Sequence, residues 1–255
     1  MRIVFTARAA SGHFHPLVPL AQAARNAGHE AVFAMPPSFQ DTVGRLGFRW
    51  LEAGLDESAP EYERFIEERN RLSGPERSSF HRRGLVGLLA PRMATDLLRI
   101  SEIWRPNLFV RDHADFGGCI AAEVLCIPHA AHQAGAAFDT MANLAEPLAD
   151  LRAAHGLSPD PNLRMLERYL LLSPFPPSLF RADEGARPTP HFYRATPFDR
   201  SGEEGPPEWP LPIPGAPLVF ATLIRDEIAR LPGPDGIVTL LEQLAQDKIP
   251  LIAAC

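Results

Sequence analysis

The chain reads as an α/β protein with a doubly wound parallel sheet, and three observations carry that expectation. Short apolar runs alternate with segments whose apolar residues recur at helical spacing, a rhythm that implies right-handed crossovers between parallel strands. Proline and glycine punctuate the first helical run where a helix start and stop need them. With 255 residues, 45% of them hydrophobic and 22% charged, there is ample material for a core.

The first strand is "RIVFTA" (2–7), and "HPLVPLAQAARNAG" follows with Leu17, Leu20, Ala21 and Ala24 on one helical face. Pro16 suits a first helical turn, and Gly28 can close the helix in a left-handed conformation. A strand "EAVFA" (30–34), a helix near 37–46 and a short strand at "FRWLE" come next. Later strands are "NLFV" (107–110), "IPHAAH" (127–132) and "YLLLS" (169–173), with "FGGCIAAEVLC" as an intervening helix.

Two insertions interrupt the series. Residues 54–104 hold two expected helices, one striped by Tyr62, Phe65 and Ile66, the other by Leu85, Leu89, Met93, Leu97 and Ile100. Pro91 should kink the second or delay its start. Residues 133–165 form another helical excursion. Both follow strand ends, so they are candidate walls of a ligand pocket, although most of their apolar residues simply pack on the sheet. Residues 1–195 thus form one domain, 196–217 a Pro- and Gly-rich linker, and 218–255 the start of a second domain. That last piece, "PLVFATL" to "IPLIAAC", is one strand–helix–strand unit and too small to stand alone. The chain reads as a two-domain protein that stops early in its second domain.

Bulk properties exclude several classes. A net charge of −6, with no concentrated basic face, argues against nucleic acid as a partner. The most basic stretch, "ERSSFHRRG", reads as a solvated loop. Cys119, Cys126 and Cys255 have no metal-ligand spacing, and the first two read as buried free thiols, which fits a cytoplasmic location. No run is apolar for long enough to span a bilayer.

The candidate chemistry lies in "SGHFHP" (11–16), directly after the first strand. Nucleotide-binding sheets often carry a glycine-rich phosphate loop at that corner; here there are one glycine and two histidines. His13 and His15 could form a metal pair, but no third ligand lies close in sequence, and a cap position explains His15 more simply. His129 reads as a core histidine, whereas His132 stands open between core and pocket wall.

The segment from Met1 to Ala34 resembles the start of GT-B-fold glycosyltransferases that glycosylate macrolides, enediynes, glycopeptides and related natural products. Gly12, His13, Pro16, Leu17, Gly28 and His29 match that family in order and spacing. "RPNLFVRDHADFGGCIAAEVLCIPHAAH", "LLLSPFPPSLF", "HFYRATPF" and the Pro-rich linker match in order as well, so the likeness runs to about residue 223. Two departures stand out: Ile224 and Arg225 replace a Gly-Thr or Gly-Ser turn, and the downstream His-x-Gly-x-Gly-Thr donor motif is absent.

The resemblance implies a Rossmann-like acceptor domain and inverting, metal-independent transfer from a nucleotide-sugar to a hydroxyl of a partly apolar acceptor. It implies His13 as the general base and Asp112 as its partner, with Asp115 the competing carboxylate. Gly12, Phe14, Phe80, Leu85, His132, Phe138 and Met141 are expected acceptor contacts. The nucleotide-sugar would be held by a further C-terminal domain, and no cofactor is expected. Two alternatives stay open: a non-catalytic small-molecule-binding module, and the acceptor subunit of a split transferase. A homodimer also stays open.

Overall fold

The computed structural model describes residues 1–134, 144–179, 190–196 and 198, with 219–222, 239, 242, 243, 246 and 251–254 of the remainder. It divides into two compact units, Met1–Phe198 and Asp199–Cys255. The first is built on a seven-stranded sheet: β1 (Arg2–Thr6), β2 (Glu30–Met35), β3 (Arg49–Glu52), β4 (Leu108–Asp112), β5 (His129–His132), β6 (Leu170–Ser173) and β7 (Pro190–Phe192). Their order is β3-β2-β1-β4-β5-β6-β7, and every pairing is parallel. The chain winds outward from β1 in one direction and from β4 in the other. The crevice between those two strand ends is the topological switch point, where ligands of such sheets are met.

Helices cover both faces. Against one lie α1 (Ser11–Phe14), α2 (Leu17–Asn26) and α3 (Gln40–Arg45), whose Phe14, Leu17, Val18, Ala21 and Val43 pack on Phe5 and Phe33 of the strands. Gly28 ends the α2 turn at φ 80°, as its position predicts. The opposite face carries α6 (Ala90–Trp104) and α7 (Phe116–Val124), which place Met93, Leu97, Trp104, Ala121 and Ala122 on Val4, Val32 and Phe109. α8 (Ala145–Ala154) packs with a third cluster through Leu148 and Leu151.

The insertion at residues 54–104 differs from its expected form. It holds three helices, because "GPERSSFHRRG" is helical: α4 (Pro60–Arg71) is followed by α5 (Gly74–Gly84), which runs through a π-helical turn at Leu85–Leu89 into α6. The local chemistry favours helix over loop. Pro75 sits in the first turn with Glu76, and His81, Arg82 and Arg83 in the last, where charge complements the helix dipole. Helical structure runs on through Pro91, which stands in the first turn of α6. The wider π turn just ahead of it, in which Ala90 N–H donates to Leu85 O, absorbs the proline's misfit.

Cys119 is buried as expected, but Cys126 is exposed, since it lies past the end of α7 at φ 55°. In the second unit β8 (Val219–Thr222) and β9 (Leu251–Ala254) pair in parallel. Between them Thr239, Glu242, Gln243 and Gln246 are helical and exposed, one face of the helix the sequence predicts there. Most of the linker segment 196–217 lies outside the described residues. Among the described residues, no helix is long and apolar enough to cross a membrane.

The glycine pair that opens α7 allows α6 and α7 to touch. A Cβ on Gly117 would stand 2.6 Å from the Ala90 carbonyl oxygen and 2.5 Å from Met93 Cβ. Backbone cannot yield there. Gly117→Ala should therefore lower stability by about 1–3 kcal/mol, read as a shifted urea midpoint. A midpoint matching wild type would show that this helix contact is loose.

Candidate active site

β1 and β4 end side by side, with Thr6 paired to Arg111 in register. The chain leaving β1 turns into α1, which carries His13 over the end of β4; Asp112 is the last residue of that strand. His13 Nδ1 lies 2.9 Å from Asp112 Oδ2. The imidazole is 23% exposed and the carboxylate fully buried, so only the ring's far nitrogen is available to an incoming group.

Burying a carboxylate costs several kcal/mol, and three donors offset that cost. Oδ2 receives His13 and also the Ala114 amide at 3.2 Å, while Oδ1 lies 3.1 Å from His113 Nδ1. Burial would raise the Asp112 carboxyl, but the bonds from His113 and His13 outweigh it and hold the group well below the usual carboxylate range. An ionised, acceptor-only Asp112 fixes the proton of His13 on Nδ1 and leaves Nε2 with a free lone pair.

The turn after β4 is braced from beneath by Arg111, fully buried on the opposite face of the strand. Its guanidinium donates to the carbonyls of Asp112 and His113 at 3.3 Å, of Asp115 at 3.5 Å, and of Leu166. His129, on the neighbouring strand, lies 3.4 Å from Arg111 Nε; burial first, and then Arg111, push its pKa down. It is a core residue. Asp115 is not the partner of His13 but the N-cap of α7: one oxygen accepts Gly118 N–H at 3.0 Å and the other the Thr6 hydroxyl. Burial raises its pKa.

His15 caps α1 and sets its ring against Phe198 at 4.9 Å. His132, opposite Asp112 in register, is fully buried and 2.7 Å from the Tyr193 hydroxyl; burial lowers it to about 4. It therefore presents no surface to a ligand.

Beside the switch point a small cleft opens at the carboxyl ends of β1 to β4. Leu85 lines it with Leu55, Tyr62, Leu89, Met93 and Phe116. Gly12 borders open space, since a Cβ there would meet no protein atom. Phe14 does not line the cleft: it is fully buried, its ring edge-on to Phe33 and Phe39, because the turn of α1 that aims His13 outward aims its neighbour at the core. Phe80 is partly buried and stacks on Phe65 at 5.4 Å rather than on the cleft wall. Phe138 and Met141 lie outside the described residues.

His113 and Arg111 escaped the sequence reading. Their signal was the polar run "RDHAD" at the end of an apolar strand, where two charged residues and a histidine on neighbouring positions mark a functional edge. His13, Asp112 and His113 each bring a ligand atom within 4.8 Å of the others, close enough for a cation. The hydrogen bonds among them already account for that closeness.

No protein-family model matches the chain. Curated relatives and solved structures do. The chain is 28% identical to 10-deoxymethynolide desosaminyltransferase of Streptomyces venezuelae over 99% of its own length and 67% of that protein. It is 28% identical to the TDP-daunosamine transferase DnrS of Streptomyces peucetius over 49% of the chain and 33% of the relative. The glycosyltransferase SsfS6 of Streptomyces sp. SF2575 superposes with a TM-score of 0.70 at 25% identity, over all of this chain and 68% of that one. The chain thus spans about two thirds of the length of the first of these relatives and a third of the second. Its homologues are natural-product glycosyltransferases, and its fold is theirs, the GT-B fold.

The depressed Asp112 carboxyl sets an acid limit on stability. Its contribution is present above the unfolded value of about 4 and is lost as pH falls through the lower folded value. His132, held neutral by burial, adds a separate decline between about 6.5 and 4. Urea unfolding of wild type should therefore lose more stability than Asp112→Asn below about pH 4. Parallel curves would show that Asp112 is not ionised by its histidines.

Proposed function

We propose that residues 1–195 form the acceptor-binding half of an inverting glycosyltransferase, which moves a sugar from a nucleotide to a hydroxyl of a partly apolar natural product. The observation that carries this reading is the His13–Asp112 bond at the switch point, beside an apolar cleft. An alcohol is a weak nucleophile at neutral pH, so its proton must leave as its oxygen attacks. His13 Nε2 takes that proton while the anomeric carbon gains the acceptor oxygen and loses the nucleoside diphosphate from the opposite side. Asp112 holds the Nδ1–H and stabilises the imidazolium that forms.

The relatives support a nucleotide-sugar donor, as one of them is a TDP-sugar transferase. The donor would sit on a further C-terminal domain begun by β8 and β9. Leu85 and its neighbours would receive the acceptor's apolar body, with Gly12 leaving room beside the attacking hydroxyl. No step in this scheme calls on a metal ion or a cofactor.

In the full-length protein, His13→Ala should lower turnover by about 10²–10⁴ and leave acceptor affinity nearly intact. Asp112→Asn should cost less, and the double variant little more than His13→Ala, because the pair acts as one unit. Turnover of His13→Ala within a few-fold of wild type would make His13 a structural turn residue. Excess chelator should leave turnover unchanged; a loss restored by a divalent cation would refute the metal-independent reading.

A further inference from the structure

The cleft contains one charge that nothing so far explains. Arg8 stands two residues beyond β1 and lines the cleft, half-buried, among the apolar side chains of Leu55, Leu85, Leu89 and Met93. Among the described residues no carboxylate pairs with it. Its polar contact is His81 of α5, whose Nε2 lies 3.3 Å from Arg8 Nη1.

That contact positions the guanidinium without neutralising it. Burial first, then Arg8 and Arg69, push His81 down to about 4, so at neutral pH the ring is uncharged and its Nε2 accepts the Arg8 proton. The ring proton then sits on Nδ1, a buried atom with no hydrogen-bond partner among the described residues. Asp115 also lines the cleft, but its oxygens are taken by Thr6 and Gly118 and burial raises its pKa. A half-buried cation set in an apolar wall and held in place by a neutral base is incomplete. It is satisfied by an anion that arrives with the ligand.

We propose that Arg8 is an anion-binding residue of the cleft and that the apolar acceptor carries a carboxylate, which the Arg8 guanidinium receives. The planar fork of guanidinium N–H groups matches the two carboxylate oxygens, and the cleft walls would cover the acceptor's rings. Together they fix which edge of the acceptor faces inward and so which hydroxyl can reach His13. This assignment rests on the cleft being the acceptor site.

Calorimetry on the full-length protein tests it with a matched pair, 6-hydroxy-2-naphthoate and 6-hydroxy-2-naphthamide, alike in shape and differing in charge. Wild type should bind the acid about tenfold or more tightly than the amide, as a charge-assisted pair in a partly desolvated site implies. Arg8→Met should reduce the acid to the amide's affinity and leave the amide unchanged. Arg8→Gln, which keeps a donor without the charge, should do the same and serves as the control if the methionine disturbs folding. Equal binding of acid and amide by wild type, no binding of either, or a preference that survives both substitutions overturns the proposal. The readout is binding, so an Arg8-dependent preference in a protein that transfers no sugar would sink glycosyl transfer alone.

Discussion

The arrangement of the first unit turns on one buried charge, the Asp112 carboxylate. It has no solvent, and it stays ionised because His13, His113 and the Ala114 amide all point at it. Those donors come from two structural commitments. His13 needs the tight turn into α1 after β1, His113 and Ala114 need the turn after β4, and Arg111 pins that second turn through three carbonyls and ties it to the Leu166 carbonyl. Remove the charge and three donors lose their acceptor together, which is why the dyad is as much a matter of stability as of chemistry.

Topology explains why the charge can be used. In a doubly wound sheet the connections leaving β1 and β4 diverge, so their ends border a crevice that no crossover fills. His13 enters that crevice from one side and Asp112 from the other. The close contact of α6 with α7, made possible by Gly117, keeps the second wall at a fixed distance. The same wall, through Leu89 and Met93, lines the cleft. Fold, cleft and the His13–Asp112 pair are consequences of one crossing point.

Much of this was legible in the residues. Apolar runs with helix-spaced intervals mark β1 to β6, because parallel strands buried on both faces leave little ambiguity in "RIVFT" or "EAVFAM", whereas the short, exposed β7 has no such run and was missed. The pairing of His13 with Asp112 was implied by the family resemblance, and the two side chains meet. What failed was local. "ERSSFHRRG" looks like a loop because its polarity hides the proline and the charge order that favour a helix. Phe14 looked like a pocket wall because sequence neighbours share a turn, yet on a short helix they point in different directions. Arg111, His113 and the Arg8–His81 pair stayed unread; Arg111 reaches partners 18 and 55 residues away, and 73 residues separate Arg8 from His81.

The central claim is that an ionised Asp112 fixes the His13 proton on Nδ1 and leaves Nε2 free. Nitrogen-15 NMR of the imidazole tests it directly by reporting which ring nitrogen carries the proton. At neutral pH the account predicts a protonated Nδ1 and a bare Nε2 on His13, with the preference weakened or lost in Asp112→Asn. A His13 ring protonated on Nε2 alone, or one indifferent to Asp112→Asn, would contradict it.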